Sequence, residues 1–175
     1  MSYLISGIQQ LGVGVSDVSA AWAWYRRAFE MNVPVFEEAA EAPLMTRYTG
    51  GRVQSRHAVL ALNLSGGAGF EVWQFTSRTP QPPERAPQVG DTGILAGVMK
   101  SRNPREAHGH LTGLGAAPTP LLTGPDGQER FYVHDPFGNL FGVVHSDEWF
   151  GEPAIAGGVG GVVIVSSDTD RALPL

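Results

Sequence analysis

Two short stretches hold the side chains best suited to chemistry. In Phe70–Phe75 (FEVWQF) a carboxylate, an indole and a phenyl ring recur at every second residue, as Glu71, Trp73 and Phe75. In Gln128–His134, Arg130, Tyr132 and His134 repeat the same spacing. Alternation of this kind puts such residues on one side of an extended strand. Each stretch is then a wall of aromatic and polar groups, suited to a compact organic molecule. His57, near the start of another extended stretch, and Gln10 extend the first wall. A carboxylate on such a wall needs a partner or water, because desolvating it alone is costly, and Arg130 could supply the counter-charge.

Other chemistries are excluded. Without cysteine there is no disulfide framework, thiolate zinc site or cysteine nucleophile. His108 and His110 look like a metal pair, but two residues apart on a helix they diverge by about 200°. The glycine run Gly157–Gly161 fails the dinucleotide-binding spacing, since its third glycine would fall at Val163. No Ser–His–Asp arrangement has supporting context.

The elements that position these walls follow from apolar periodicity. Ile8–Val15 alternates as a strand, with Gln10, Gly12 and Gly14 on the face opposite Leu11 and Val13. Asp17 and Ser19 offer helix caps, after which Val18, Ala21, Trp22, Tyr25 and Phe29 fall at helical spacing. Val33–Glu37, His57–Leu64 and Phe70–Phe75 read as three further strands. If Leu60, Leu62 and Leu64 face the helix, His57, Val59 and Ala61 join the wall of Glu71. The order is βαβββ.

A proline-rich connector, Thr79–Pro87, precedes the same order again: strand Gly93–Lys100, helix Pro104–Leu114, and strands Leu121–Thr123, Gln128–His134 and Leu140–His145. The DPFGN segment Asp135–Asn139 turns the chain between the last two. A third copy of the opening, Gly158–Val165 followed by Ser167, Asp168 and Thr169, begins near the end. The expected division is module one at 1–78, a linker at 79–92, module two at 93–147, and at 148–175 a linker with the first strand of a third module. On this reading the sequence is part of a chain nearer twice its length.

The 175 residues carry 12 basic and 17 acidic side chains, a formal net charge of −5. The basic residues are scattered, which argues against a nucleic-acid partner. The N-terminus has no basic region followed by an apolar stretch, and the weakly polar run Ala154–Val165 is too short for a span of about 20 residues. A cytoplasmic protein without a membrane partner is expected.

Gln10–Phe29 (QLGVGVSDVSAAWAWYRRAF), Phe70–Phe75 (FEVWQF) and Phe131–Val144 (FYVHDPFGNLFGVV) together resemble the vicinal oxygen chelate superfamily, which includes glyoxalase I, bleomycin-resistance proteins and extradiol dioxygenases. The resemblance implies an α+β fold of two tandem βαβββ modules, whose curved mixed sheets surround a shared cavity, with the start of a third module at the C-terminus. In metal-using members four ligands come from the first and last strands of each module. Those positions fall on Gln10, Glu71, Ala96 and Gly142, so a divalent ion would find a side-chain donor only at Gln10 and Glu71.

The expected function is binding of a small organic molecule between the modules, beside an incomplete metal site. His57, Trp73, Phe75, Arg130 and Tyr132 are the expected ligand-binding residues, and Glu71 is the catalytic candidate. The resemblance also implies two alternatives. One is a metal-dependent lyase, isomerase or dioxygenase in which Gln10 and Glu71 hold the metal and Glu71 moves a proton. The other is a non-catalytic N-terminal half of a four-module protein. A homodimer is consistent with either, because cavities in this superfamily are assembled within or between chains.

Overall fold

The computed structural model describes residues 7–81, 84–85 and 87–172. Its elements are β1 (Gln10–Gly14), α1 (Val18–Phe29), β2 (Val33–Glu41), a 3₁₀ helix (Pro43–Tyr48), β3 (Ser55–Leu62), β4 (Gly69–Phe75), β5 (Gly93–Ser101), α2 (Pro104–Gly113), β6 (Leu122–Thr123), β7 (Glu129–His134), β8 (Leu140–His145), β9 (Gly157–Val165) and one helical turn, α3 (Thr169–Ala172). Among the described residues no helix is long and apolar enough to cross a membrane.

Both long helices start where the sequence offers a cap. Asp17 accepts a hydrogen bond from the Ala20 amide at 2.9 Å, and Asn103 accepts one from Glu106 ahead of Pro104. α1 ends at Glu30 in the left-handed conformation, with φ 51°. The buried stripe of α1 runs through Val18, Ala21, Trp24, Tyr25, Ala28 and Phe29. Trp22 stands at its margin and donates its indole N–H to the Met31 carbonyl at 3.0 Å.

The chain is α+β with two mixed sheets. Sheet one has the order β1-β4-β3-β2, and sheet two the order β6-β7-β8-β5-β9. In each, the first strand of its module runs parallel to the last: β1 beside β4, and β5 beside β8. Sheet two therefore repeats sheet one and adds β9, antiparallel along the free edge of β5. The third copy of the opening motif thus serves sheet two as a fifth strand.

One core serves both modules. Tyr25, Phe29 and Phe70 of the first module converge on Phe141 of the second, with Phe70 and Phe141 stacked at 5.3 Å between ring centroids. Val59, Ala61 and Val72 join it from sheet one, and Met99, Phe131, Val133 and Val143 from sheet two. The face of each sheet that carries its helix meets the other there. Aromatic burial on this scale is a large contribution to holding the modules together.

β9 is threaded through close backbone approaches. A Cβ on Gly66, in the turn before β4, would lie 2.7 Å from the Gly157 carbonyl oxygen, and Val159 donates its amide hydrogen to the Gly67 carbonyl at 3.0 Å. The one lysine, Lys100, reaches across the same junction to the carbonyls of Gly66 at 2.9 Å and Glu148 at 3.1 Å.

Candidate functional site

Parity and register fix what the open face of sheet one presents. β1 pairs Gly12 with Glu71, and β3 pairs Leu60 with Glu71, Ala58 with Trp73 and Arg56 with Phe75. These residues share the side of the sheet turned away from α1. Gln10 lies on the same side and donates from its amide nitrogen to the Glu71 carboxylate at 2.5 Å. Trp73 and Phe75 meet edge to face, with centroids 5.9 Å apart. The Arg56 guanidinium lies over the Trp73 ring at 5.1 Å, and that of Arg78 over Phe75 at 5.9 Å. Arg56 is ion-paired to Glu38 while its Nε atom is buried without a partner. A carboxylate with its amide, two half-buried rings and two cations therefore line up across three strands.

His57 is not on this face. It is the cross-strand neighbour of Gln74, whose side chain caps the Val18 amide at 3.0 Å on the helix side, and its Nε2 lies 3.1 Å from Glu37. The expected parity of β3 was inverted: Val59 and Ala61 enter the shared core, and Leu60 packs on the open side. The run Ala58–Leu62 is apolar on both faces, so alternation could not choose between them. Arg56 was missed for the same reason, although its place two residues before Ala58 marks it once the register is known.

On sheet two, Arg130, Tyr132 and His134 lie on the side away from α2, as their alternation with the core residues Phe131 and Val133 requires. Tyr132 lies across Gly142, where a Cβ would come within 3.1 Å of its ring. Arg130 does not reach Glu71. It pairs with Asp126 at 2.6 Å and closes the Gly124–Gly127 turn. Burial of the Asp126 side is slight, and its carboxyl is held below the usual range first by the Gln128 amide and also by Arg130.

The open faces of the two sheets meet at the cleft between the modules, which Gly12 lines from sheet one and Ala96, His134 and Leu140 line from sheet two. Glu71 follows Phe70 in β4 and Gly142 follows Phe141 in β8, and Phe70 and Phe141 point at each other. The cleft that the modules share lies between β1, the start of β5, and the DPFGN turn with the start of β8.

A divalent metal does not fit the residues of this chain. Gln10 and Glu71 are spent on one another, and the other two positions, Ala96 and Gly142, offer no side-chain donor. Among the described residues no three His, Asp or Glu side chains converge.

No family model matches the sequence, and no curated protein matches it. Solved structures do match in fold. The chain is similar to a glyoxalase family protein from Bacillus cereus at 16% identity, with 85% of this chain and 97% of that one covered and a TM-score of 0.68. It overlays a "putative dioxygenase" from Bacillus subtilis at 17% identity and TM-score 0.63, with 97% of this chain spanning 53% of that longer one. A fosfomycin resistance protein, FosX, from Listeria monocytogenes, solved with Mn(II) and sulfate, overlays at 15% identity and TM-score 0.50, with 82% and 94% covered. At these identities the likeness is one of fold, and the fold is that of the vicinal oxygen chelate proteins.

Proposed function

We propose that this chain, built on the vicinal oxygen chelate fold, binds a planar organic molecule on the open face of sheet one without a metal. The Trp73–Phe75 corner carries the reading. Two rings that the shared core does not use stand half-buried between a carboxylate and two guanidinium groups. A flat molecule stacked on Trp73 would meet Glu71 as a hydrogen-bond acceptor on one side and Arg78 as a cation on the other. An acid with a hydroxyl or amine substituent suits both ends. Glu71, already oriented by Gln10, is the group placed to accept a proton from such a ligand.

The rings of this face are half-buried, and the proposal includes a homodimer in which a second copy closes over the ligand. Sedimentation velocity reads that part directly.

The test is equilibrium binding of hydroxybenzoates and aminobenzoates to the wild type, Trp73→Leu and Glu71→Gln. Loss of stacking and of a charge-assisted acceptor should each weaken binding by about tenfold or more. Equal affinity across the three proteins would overturn the proposal.

A further inference from the structure

The cleft between the modules adjoins the open face of sheet one at Gly12 without including Glu71, Trp73 or Phe75, and nothing above gives the chemical class of the molecule it would take. It encloses about 470 Å³, within the range of about 300–1,000 Å³ typical of small-molecule sites. Its walls are aliphatic, chiefly Leu11, Val13, Leu95 and Leu140, and among the described residues no carboxylate, arginine or lysine lines it. Among the described lining residues His134 is the one side chain that can carry charge, and that charge is positive.

The walls are held in place from both modules. Gly97 lacks a side chain where Leu11 and Phe141 already fill the space, at 2.7 and 3.1 Å from a built Cβ. Asn139 ties the turn to β1 by donating to the Gly14 carbonyl at 3.1 Å and to Asp135 at 2.9 Å. From the mouth an apolar track continues over Ile94, which lines the cleft, to its cross-strand partner Ile164, and the two are 66% and 65% exposed. Two large aliphatic side chains paired in water at the mouth of an aliphatic cleft extend its apolar surface outward.

We infer that this cleft binds a linear aliphatic carboxylate. The hydrocarbon lies between Leu11, Leu95 and Leu140 and emerges over Ile94, and the carboxylate takes a hydrogen bond from the His134 imidazole. A cationic head group would find no acceptor carboxylate among the described lining residues, so the site discriminates by charge as well as by shape. The inference does not rest on the Trp73 site.

The experiment is a titration of the full chain with sodium octanoate, and separately with octylamine, read from backbone amide shifts in two-dimensional NMR. Octanoate should give saturable shifts at Leu11, Ala96, Leu140 and His134, while octylamine binds at least about tenfold more weakly. Leu140→Glu should abolish the octanoate shifts. His134→Ala, at an exposed position, should weaken them about fivefold while leaving the rest of the spectrum folded. Equal binding of octylamine, shifts confined to the Trp73 face, or an unchanged affinity in His134→Ala would overturn the inference.

Discussion

The Tyr25 hydroxyl, on α1 of the first module, donates a hydrogen bond to the Asp135 carboxylate, 110 residues further along in the DPFGN turn of the second. Asp135 is buried and also accepts from the amides of Phe137 and Asn139, both at 2.8 Å, and from the Asn139 side chain. The most distinctive motif of the sequence is therefore a clamp between modules as well as a turn.

Tyr25→Phe should leave the fold intact and lower its stability by about 1.5–3 kcal/mol, the usual range for a hydrogen bond to a charged group. Chemical denaturation measures it. The pH dependence has a definite sign. Burial first, and then the Asp135 charge, raise the Tyr25 pKa far above its ordinary 10.0. The folded chain keeps a proton that the unfolded chain loses, so this contribution is complete below about pH 10 and is lost as the pH rises beyond it. Tyr25→Phe should show a shallower alkaline decline than the wild type.

Phe141→Ala removes the ring on which Tyr25, Phe29 and Phe70 converge. A loss of about 3–5 kcal/mol is expected for deleting a buried ring. Because the ring belongs to both modules, fluorescence and circular dichroism should follow one shared unfolding transition in the wild type. Two well-separated transitions would show that the modules fold independently.

Gly158 has φ +69°, and a Cβ there would lie 2.5 Å from the Gly66 backbone. Gly158→Ala combines backbone strain with a clash that no side chain can relieve. It should pull β9 away from β5 while leaving the β5–β8 pairing. Hydrogen exchange would show faster exchange along β9 and the edge of β5 that faces it.

Asp91, beside the linker, has its carboxyl lowered to about 2, chiefly by the hydrogen bond from Arg85 and then by the Gln88 amide. A depressed pKa stabilises the folded state above the ordinary value near 3.8, and that contribution disappears as the pH falls toward 2. Carboxyl NMR should show Asp91 titrating near the usual carboxylate range in Arg85→Ala.

The sequence made much of this architecture legible because its signals are local. Asp17 and Asn103 announce their helices, and the DPFGN turn joins two strands of clear alternation. The face of Glu71, Trp73 and Phe75 follows from the intervening Phe70 and Val72, which are buried. What stayed hidden depends on tertiary contacts. In β3 both faces are apolar over Ala58–Leu62, so the sequence alone places His57 on the side that Arg56 occupies. The Phe70–Phe141 contact that joins the two modules is one that no periodicity encodes. β9 is too rich in glycine for its pattern to name β5 as its partner. The 3₁₀ helix Pro43–Tyr48 lacks a side-chain cap that would mark it.

The central claim is a ligand site on the open face of sheet one that works without a metal. The most direct measurement is a fragment screen of aromatic acids by two-dimensional NMR, run once in EDTA and once with Mn(II)-free Mg(II) or Zn(II) added, and read at the Trp73 indole N–H and the Glu71 and Phe75 amides. Saturable shifts are expected at these three groups, with the same affinity in EDTA as with either ion. Binding that appears only when the ion is present, or shifts that leave Trp73 and Glu71 untouched, would contradict it.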